Sequence, residues 1–459
     1  MDLRRFRWAS RRALTPAVCG TLAFALLLTI AIVRAPHRQI PGSLFVSDGF
    51  GYYIYLPSVV INGDLDLTNQ IAHQPSQVEH WTFAQVPQTG KPGNIFQIGP
   101  ALLWFPFFVA THLVLTSLHW LGFDVPRDGF GWAYELPVYC GSFLYGLLGI
   151  WFIWRLVKEF WGNRIGTGSI ALIVLASPVA AYVWFEPDMP HILSMTLIAM
   201  LFYYLQKAYV RGVLRLRMWA GLGSLTGLIG LIRVPDLLVC LALLCVGAAL
   251  VWRRRRVEGG FSWRGTVAPV IVYSLAAGAA FLPQLLVWKV LYGKMFSMPP
   301  NPFYTEMSWV EPHLFNYLFS TCHGLVSWTP ILLPATVGLI WGAARGPMIM
   351  RWSLPVLVAA VYFNSSIYRW WVGASFGERR MVDYAVLFAL GLGYLLSLKP
   401  SLLSKGPLCL ASFLCGFNWV LMVRYFTHDL PEYGYVSWYD LYIRTLDFPL
   451  RALAKFRGS

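Results

Sequence analysis

The sequence predicts an all-α polytopic membrane protein with about eleven transmembrane helices and a long first outer loop carrying interfacial helices. Three observations predict it. Of the 459 residues, 57% are hydrophobic and only 12% charged, against roughly 25% charged in soluble domains. Apolar runs that approach the ~20 residues needed to cross a bilayer recur along the whole chain. Lys and Arg concentrate in alternate connections between those runs, the bias that marks cytoplasmic loops. A soluble protein would have no core for most of these runs to enter.

The first run, 16–33 ("PAVCGTLAFALLLTIAIV"), follows the basic "RRFRWASRR", and no small-x-small cleavage site appears before "RAPHRQIPG". It reads as a retained anchor with a cytoplasmic N-terminus. Further spans are expected at 137–155, 165–184, 190–206, 218–232, 236–252, 266–288, 329–344, 352–368, 383–398 and 406–423. Alternation then places "RLVKEFWGNR", "QKAYVRGVLRLR", "WRRRRVEGGFSWR", "ARGPMIMR" and "LKPSLLSK" in the cytoplasm. With the N-terminal segment these pieces hold 21 of the 36 Lys and Arg but only three of the 21 acids, Asp2, Glu159 and Glu258. The net charge of +15 is therefore mostly a topology signal. No basic segment is interleaved with base-stacking aromatics, so no nucleic-acid partner is expected.

The outer side receives the remaining polar chemistry: the first loop (34–136), the turn "FEPDMPH", a loop at 289–328, the stretch "YRWWVGASFGERRMVDY" and a tail after Arg424. Within the first loop, 98–115 ("IGPALLWFPFFVATHLVL") is apolar, but a full span there would invert every later loop and spoil the charge count. It reads as an interfacial or re-entrant helix. Two regions result, a membrane domain over 1–424 and a short outer tail over 425–459. Six of the seven cysteines lie in apolar runs and only Cys322 in an outer loop, which suggests no disulfide framework.

Several outer constellations could carry chemistry. Asp48, in "SDGFGYYIYLP", stands just beyond the first span, where an ionised acid needs the interface or a wet cavity. Tyr52 and Tyr53 beside it offer rings and hydroxyls suited to a sugar, and equally to an interfacial aromatic belt. Glu186, Asp188 and His191 lie in a turn kept non-helical by two prolines. Their donor types suit a divalent ion, yet no HExxH or comparable spacing accompanies them. Asp64 and Asp66 in "GDLDL" form a DxD, better read as a loop turn. Lys91 of "KPGN" and Arg379 and Arg380 of "GERR" offer a point charge and two planar forks for phosphate oxygens. Trp371 and Glu378 lie beside those arginines. Arg233, in "GLIRVPD", stands where two spans meet and could snorkel or bind an anion. The glycine pairs in "GLGS" and "GLGY" fall inside spans and read as packing.

In order and topology the chain resembles the GT-C glycosyltransferases, in particular the branch of protein mannosyltransferases and the lipid A aminoarabinose transferase. The resemblance rests on Asp48 just after span one, the Gly63-Asp64 turn, "KPG" ahead of an apolar half-helix, a second acidic turn after span three, and "GLIGLIRVP". Gly49 stands where the family has a second acid, and "KPG" where it has Lys-Pro-Pro. The resemblance implies transfer of a sugar from a polyprenyl-phosphate donor to the hydroxyl of a glycan, lipid or protein acceptor, at the outer face of a bacterial cytoplasmic (inner) membrane. Asp48 would act as base, with Glu186 or Asp188 assisting. Lys91, Arg379, Arg380 and Arg233 would bind the donor phosphate. His191, Tyr52, Tyr53, Trp371 and Glu378 would contact acceptor or sugar. No cofactor is specified beyond a divalent metal that the acidic turn could admit. The alternative is a multi-span transporter or flippase of a lipid-linked or anionic solute, which would place functional charges near mid-membrane.

Overall fold

The computed structural model describes residues 43–74, 80–211, 215–258, 263–297, 299, 306–371, 373–403 and 405–457. The expected first span, 16–33, lies outside them, as do the side chains of Arg253–Arg256. Among the described residues the protein is built from helices, with two isolated bridges, Gln85–Pro92 and Met307–Ile367, as its only strand-like pairing.

The helices that frame the molecule are α1 (Asp48–Tyr53), α2 (Gly99–Trp120), α3 (Trp132–Leu175), α4 (Val179–Trp184), α5 (His191–Arg211), α6 (Leu216–Ile232) and α7 (Cys240–Glu258). They continue as α8 (Trp263–Tyr292), α9 (Leu332–Arg345), α10 (Met348–Ser366), α11 (Ala385–Leu398), α12 (Lys405–Phe426) and α13 (Arg444–Arg457). Within the described residues each expected span falls on helix, except that 165–184 is broken after Leu175 and completed by the short α4. Among the described residues seven helices are long and apolar enough to cross a membrane, while α6 and α9 are apolar but shorter. The protein is an integral membrane protein, although helix length alone does not reach the eleven spans expected.

Two elements depart from expectation. The 44-residue α3 is two limbs, 132–161 and 163–175, that reverse at Gly162, whose φ of 83° lies in the left-handed region. Gly166 comes to rest against the backbone of Lys158, and the Trp154 indole donates to the Thr167 hydroxyl at 3.2 Å, so the limbs are antiparallel. The connection read as the loop "RLVKEFWGNR" is thus two helix ends and one turn residue. The segment read as interfacial forms α2, 22 residues without interruption despite Pro106. At 1.5 Å per residue it is ~33 Å long, so its length suits a span as well as an interfacial helix.

Gly223 of "GLGS" and both glycines of "GLGY" act in packing, while Gly221 faces open space. A Cβ at Gly223 would strike the Tyr273 carbonyl, and one at Gly391 the Ala335 carbonyl, so α6 against α8 and α9 against α11 approach backbone to backbone. The first loop is tied to the end of α8. Thr89 donates to the Leu291 carbonyl at 2.6 Å, and the Asn94 N–H donates to the Tyr292 hydroxyl at 2.9 Å. Asn94 Nδ2 then donates to the Gly51 carbonyl at 2.7 Å, which fixes α1 and so Asp48.

Candidate active site

Asp48 opens α1, after Ser47 at a φ of 52°. Its carboxylate sits in the first turn, where the helix dipole favours negative charge. Opposite it is Arg379, the first residue of a 3₁₀ turn (Arg379–Tyr384) that leads into α11. Arg379 Nη2 lies 3.1 Å from Asp48 Oδ2, and the side chains are 15% and 32% exposed. The pair therefore joins the start of the described chain to its last third and remains open on one side. Arg379 Nη1 rests on Met189 Sδ at 3.9 Å, and Glu186 acts on the same guanidinium electrostatically.

The acidic turn forms the floor. The Tyr139 hydroxyl donates to the Phe185 carbonyl at 2.7 Å, and Ser142 donates to the Pro187 carbonyl, so α3 grips the first half of the turn. Asp188 is buried, and a Cβ built at Gly49 would overlap its carboxylate. Only glycine fits there. The departure "DG" from a double acid thus makes room for Asp188, and brings Asp48, Asp188, Glu186 and Arg379 into one neighbourhood.

The other expected site residues have different surroundings. Arg380 and Glu378 are buried against each other, with Arg380 Nε and Nη2 at 2.7 and 3.0 Å from the two carboxylate oxygens. Arg380 also donates to the Trp370 carbonyl and lies over the Tyr317 ring. It is turned into the protein, and Glu378 is taken up in holding it. Tyr53 is fully buried and donates to the Gly129 carbonyl at 2.7 Å, while Tyr52 packs on Phe96. Both are buried, as is the rest of α1 from Gly49 on. Trp371 stays partly exposed beside Trp370.

Lys91 acts on Asp66, whose carboxyl is held below its ordinary range by the Thr68 hydroxyl and N–H and, less, by that lysine. Asp64 Oδ1 accepts from the Asp66 N–H at 3.1 Å, and Asp66 Oδ1 accepts from the Thr68 hydroxyl at 2.6 Å. The DxD is a pair of Asx turns, as read. No group of three or more His, Cys, Asp or Glu assembles among the described residues to hold a metal.

Arg233 and His191 meet in a cluster that sequence reasoning did not assemble. His191 Nδ1 lies 2.9 Å from Asp383 Oδ1, and Arg233 contacts the other oxygen of Asp383. Arg233 also lies 3.8 Å from Asp236 Oδ1, and Asp236 accepts from Ser194 and, at 3.2 Å, from Tyr384. Asp236 and Asp383 were missed. The available signal was an acid at the head of an apolar span, which demands a partner.

Tyr433 was missed as well. It is 64% exposed, on a tail segment whose Glu432 carbonyl contacts His323 Nε2 at 3.2 Å, and it lies within electrostatic reach of Arg379 and Asp48.

The comparisons with known proteins bear on the membrane region. A family model described as dolichyl-phosphate-mannose-protein mannosyltransferase matches residues 130–277, about a third of the chain. The match agrees with the resemblance read from the sequence, and it spans the acidic turn, Arg233 and Asp236. No curated protein matches the chain. Among solved structures, ArnT from Cupriavidus metallidurans bound to undecaprenyl phosphate is similar at 15% identity and a TM-score of 0.47, over 90% of this chain and 70% of that one. The apo form of the same protein gives 14% identity and 0.42, over 89% and 70%. Archaeal oligosaccharyltransferase AglB from Archaeoglobus fulgidus, in complex with an inhibitory peptide and a dolichol-phosphate, gives 14% and 0.41, over 95% and 54%.

Proposed function

We propose that the protein is a membrane glycosyltransferase that moves a sugar from a polyprenyl-phosphate donor to an acceptor hydroxyl on the outer face of a bacterial cytoplasmic membrane. The observation that carries this reading is the 3.1 Å pair of Asp48 and Arg379, with Asp188 and Glu186 beside it. The family-model match over 130–277 supports a lipid-phosphate sugar donor. Residues 1–424 would form the catalytic domain and 425–459 a tail that reaches back to the site through Tyr433.

In a sugar phosphate the leaving group already carries its negative charge, so departure needs a cation more than an acid. Arg379 is a planar, permanently charged fork open on one side, suited to phosphate oxygens. Without donor, its charge is held on Asp48. Phosphate capture by Arg379 frees a carboxylate lone pair on Asp48, which then takes the proton of the acceptor hydroxyl as that oxygen attacks the anomeric carbon. A single displacement of this kind inverts the anomeric centre. Asp188, packed against Gly49, and Glu186 would orient the acceptor.

Asp48→Asn should preserve folding and the binding of undecaprenyl phosphate while lowering sugar transfer about 10²–10⁴-fold, the usual worth of a positioned base. Transfer at the normal rate by Asp48→Asn would overturn the assignment. The second reading, a transporter of a lipid-linked solute, draws on the charged cluster of Arg233, Asp236, His191 and Asp383 inside the helical region. Movement of labelled polyprenyl phosphate across vesicle bilayers without any transfer would favour it.

A further inference from the structure

Arg379 is held on one side by Asp48, but Asp48 cannot set the position of the turn that carries it. That turn, Arg379–Tyr384, ends in two residues bound to other elements. Asp383 is wholly buried, receives Arg233 at one oxygen and faces His191 Nδ1 at 2.9 Å with the other. Tyr384 donates to Asp236 at 3.2 Å. His191 Nδ1 lies between an Asp383 oxygen that only accepts and, at 3.1 Å, Arg233 Nη1, which only donates, so it bonds within the cluster in either tautomer.

The partners come from separate places. His191 opens α5 and lies two residues after Met189, whose sulfur touches Arg379. Arg233 ends the glycine-rich α6, and Asp236 lies in the 3₁₀ turn that follows it. The link from Asp383 to His191 therefore joins the turn bearing Arg379 to the turn bearing Asp188. Arg233 fastens both to α6. Removing this link leaves the turn held by Tyr384 on Asp236 and by Arg380 on Glu378 and the Trp370 carbonyl, but takes away its tie to the turn bearing Asp188.

We infer that Asp383 and His191 are positioning residues that hold Arg379 at the mouth of the site, through an Arg233–Asp383–His191 ion cluster. This rests on the reading of Arg379 as the donor-phosphate grip. It also gives Arg233 and His191 a role without contact to donor or acceptor, because both are committed to Asp383 beneath the site.

The test is a double-mutant cycle on the full-length protein in detergent, with undecaprenyl phosphate as probe and thermal unfolding measured in parallel. Asp383→Asn and His191→Phe should each weaken probe binding about tenfold, the scale expected for residues coupled through one network. In an Arg379→Ala background, where apolar contacts of the isoprenoid tail keep residual binding measurable, neither change should weaken it further. His191→Asn places an amide N–H near the Nδ1 position and should restore binding to within about twofold of wild type, even though the smaller side chain lowers stability. Losses that add in full to that of Arg379→Ala, or a His191→Asn as weak as His191→Phe, would overturn the inference. If Asp383→Asn does not fold, the two His191 variants decide alone. A wild-type affinity for Arg379→Ala itself would instead remove the donor grip on which the inference rests, and that result is read from the single variant.

Discussion

Arg379 and Arg380 are adjacent on one 3₁₀ turn, yet they inhabit different regions of the molecule. Arg379 meets Asp48 at a partly exposed mouth. Arg380 is clamped by both oxygens of Glu378 and the Trp370 carbonyl, over the Tyr317 ring. A 3₁₀ turn advances about 120° per residue, so neighbours on it must face different ways. The difference teaches that a charged dipeptide says little about which charge can take a ligand. The deciding feature is how much of each guanidinium the protein itself has already satisfied. Arg380's fork is spent on protein groups, whereas Arg379 keeps an open side.

The comparison can be broken most directly by truncating the buried arginine. Arg380→Ala leaves Glu378 buried without its main partner, which typically costs about 3–5 kcal/mol. It should lower the yield and thermal stability of the purified protein sharply. Wild-type stability for that variant would mean that the two arginines do not differ as described. Arg379→Ala should show the opposite pattern: about tenfold weaker binding of undecaprenyl phosphate, with a stability change of about 1 kcal/mol or less, the worth of a partly exposed pair.

His323 sharpens the comparison, since it lies within electrostatic reach of both arginines. Burial, ahead of those two positive charges, holds its imidazole down at about 4, from an ordinary 6.5. As pH falls below about 6.5 the unfolded chain takes up a proton that the folded chain refuses. Stability is therefore full above 6.5 and declines down to about 4. Thermal unfolding of wild type against His323→Gln, measured from pH 7.5 to 4.5, should show a slope across this window that the variant lacks.

The smallest effect is expected at the other polar region of the first loop. Asp66 serves its own turn with Thr68, so Asp66→Ala should cost about 1 kcal/mol and leave sugar transfer unchanged. A large loss of transfer would return the DxD to the site.

Much of the fold was legible, because hydropathy and Lys/Arg placement report directly on the bilayer. The helices from α3 to α12 fall where the apolar runs are. Within the site, Asp48 was legible as an acid with no soluble surroundings, and the acidic turn as charge fixed by prolines. The phase of the 3₁₀ turn was not legible, so Arg379 and Arg380 could not be told apart. Nor could Tyr53 be separated from a surface aromatic, since a tyrosine in a core and one at an interface have the same neighbours in sequence. Asp383 and Asp236 were hidden for another reason. Each stands at the head of an apolar run and passes for the end of a loop, and only the tertiary fold brings Arg233 and His191 to them.

The reversal at Gly162 also bears on how the chain enters a membrane. The limbs 132–161 and 163–175 are joined by one residue in a conformation that a side chain would strain, so no slack exists for the first to settle before the second arrives. A hairpin this tight would be expected to enter lipid as a paired unit, its backbone hydrogen bonds satisfied within each limb. A Cβ built at position 162 would meet open space, so a substitution there is opposed by backbone strain alone, whatever the size of the side chain.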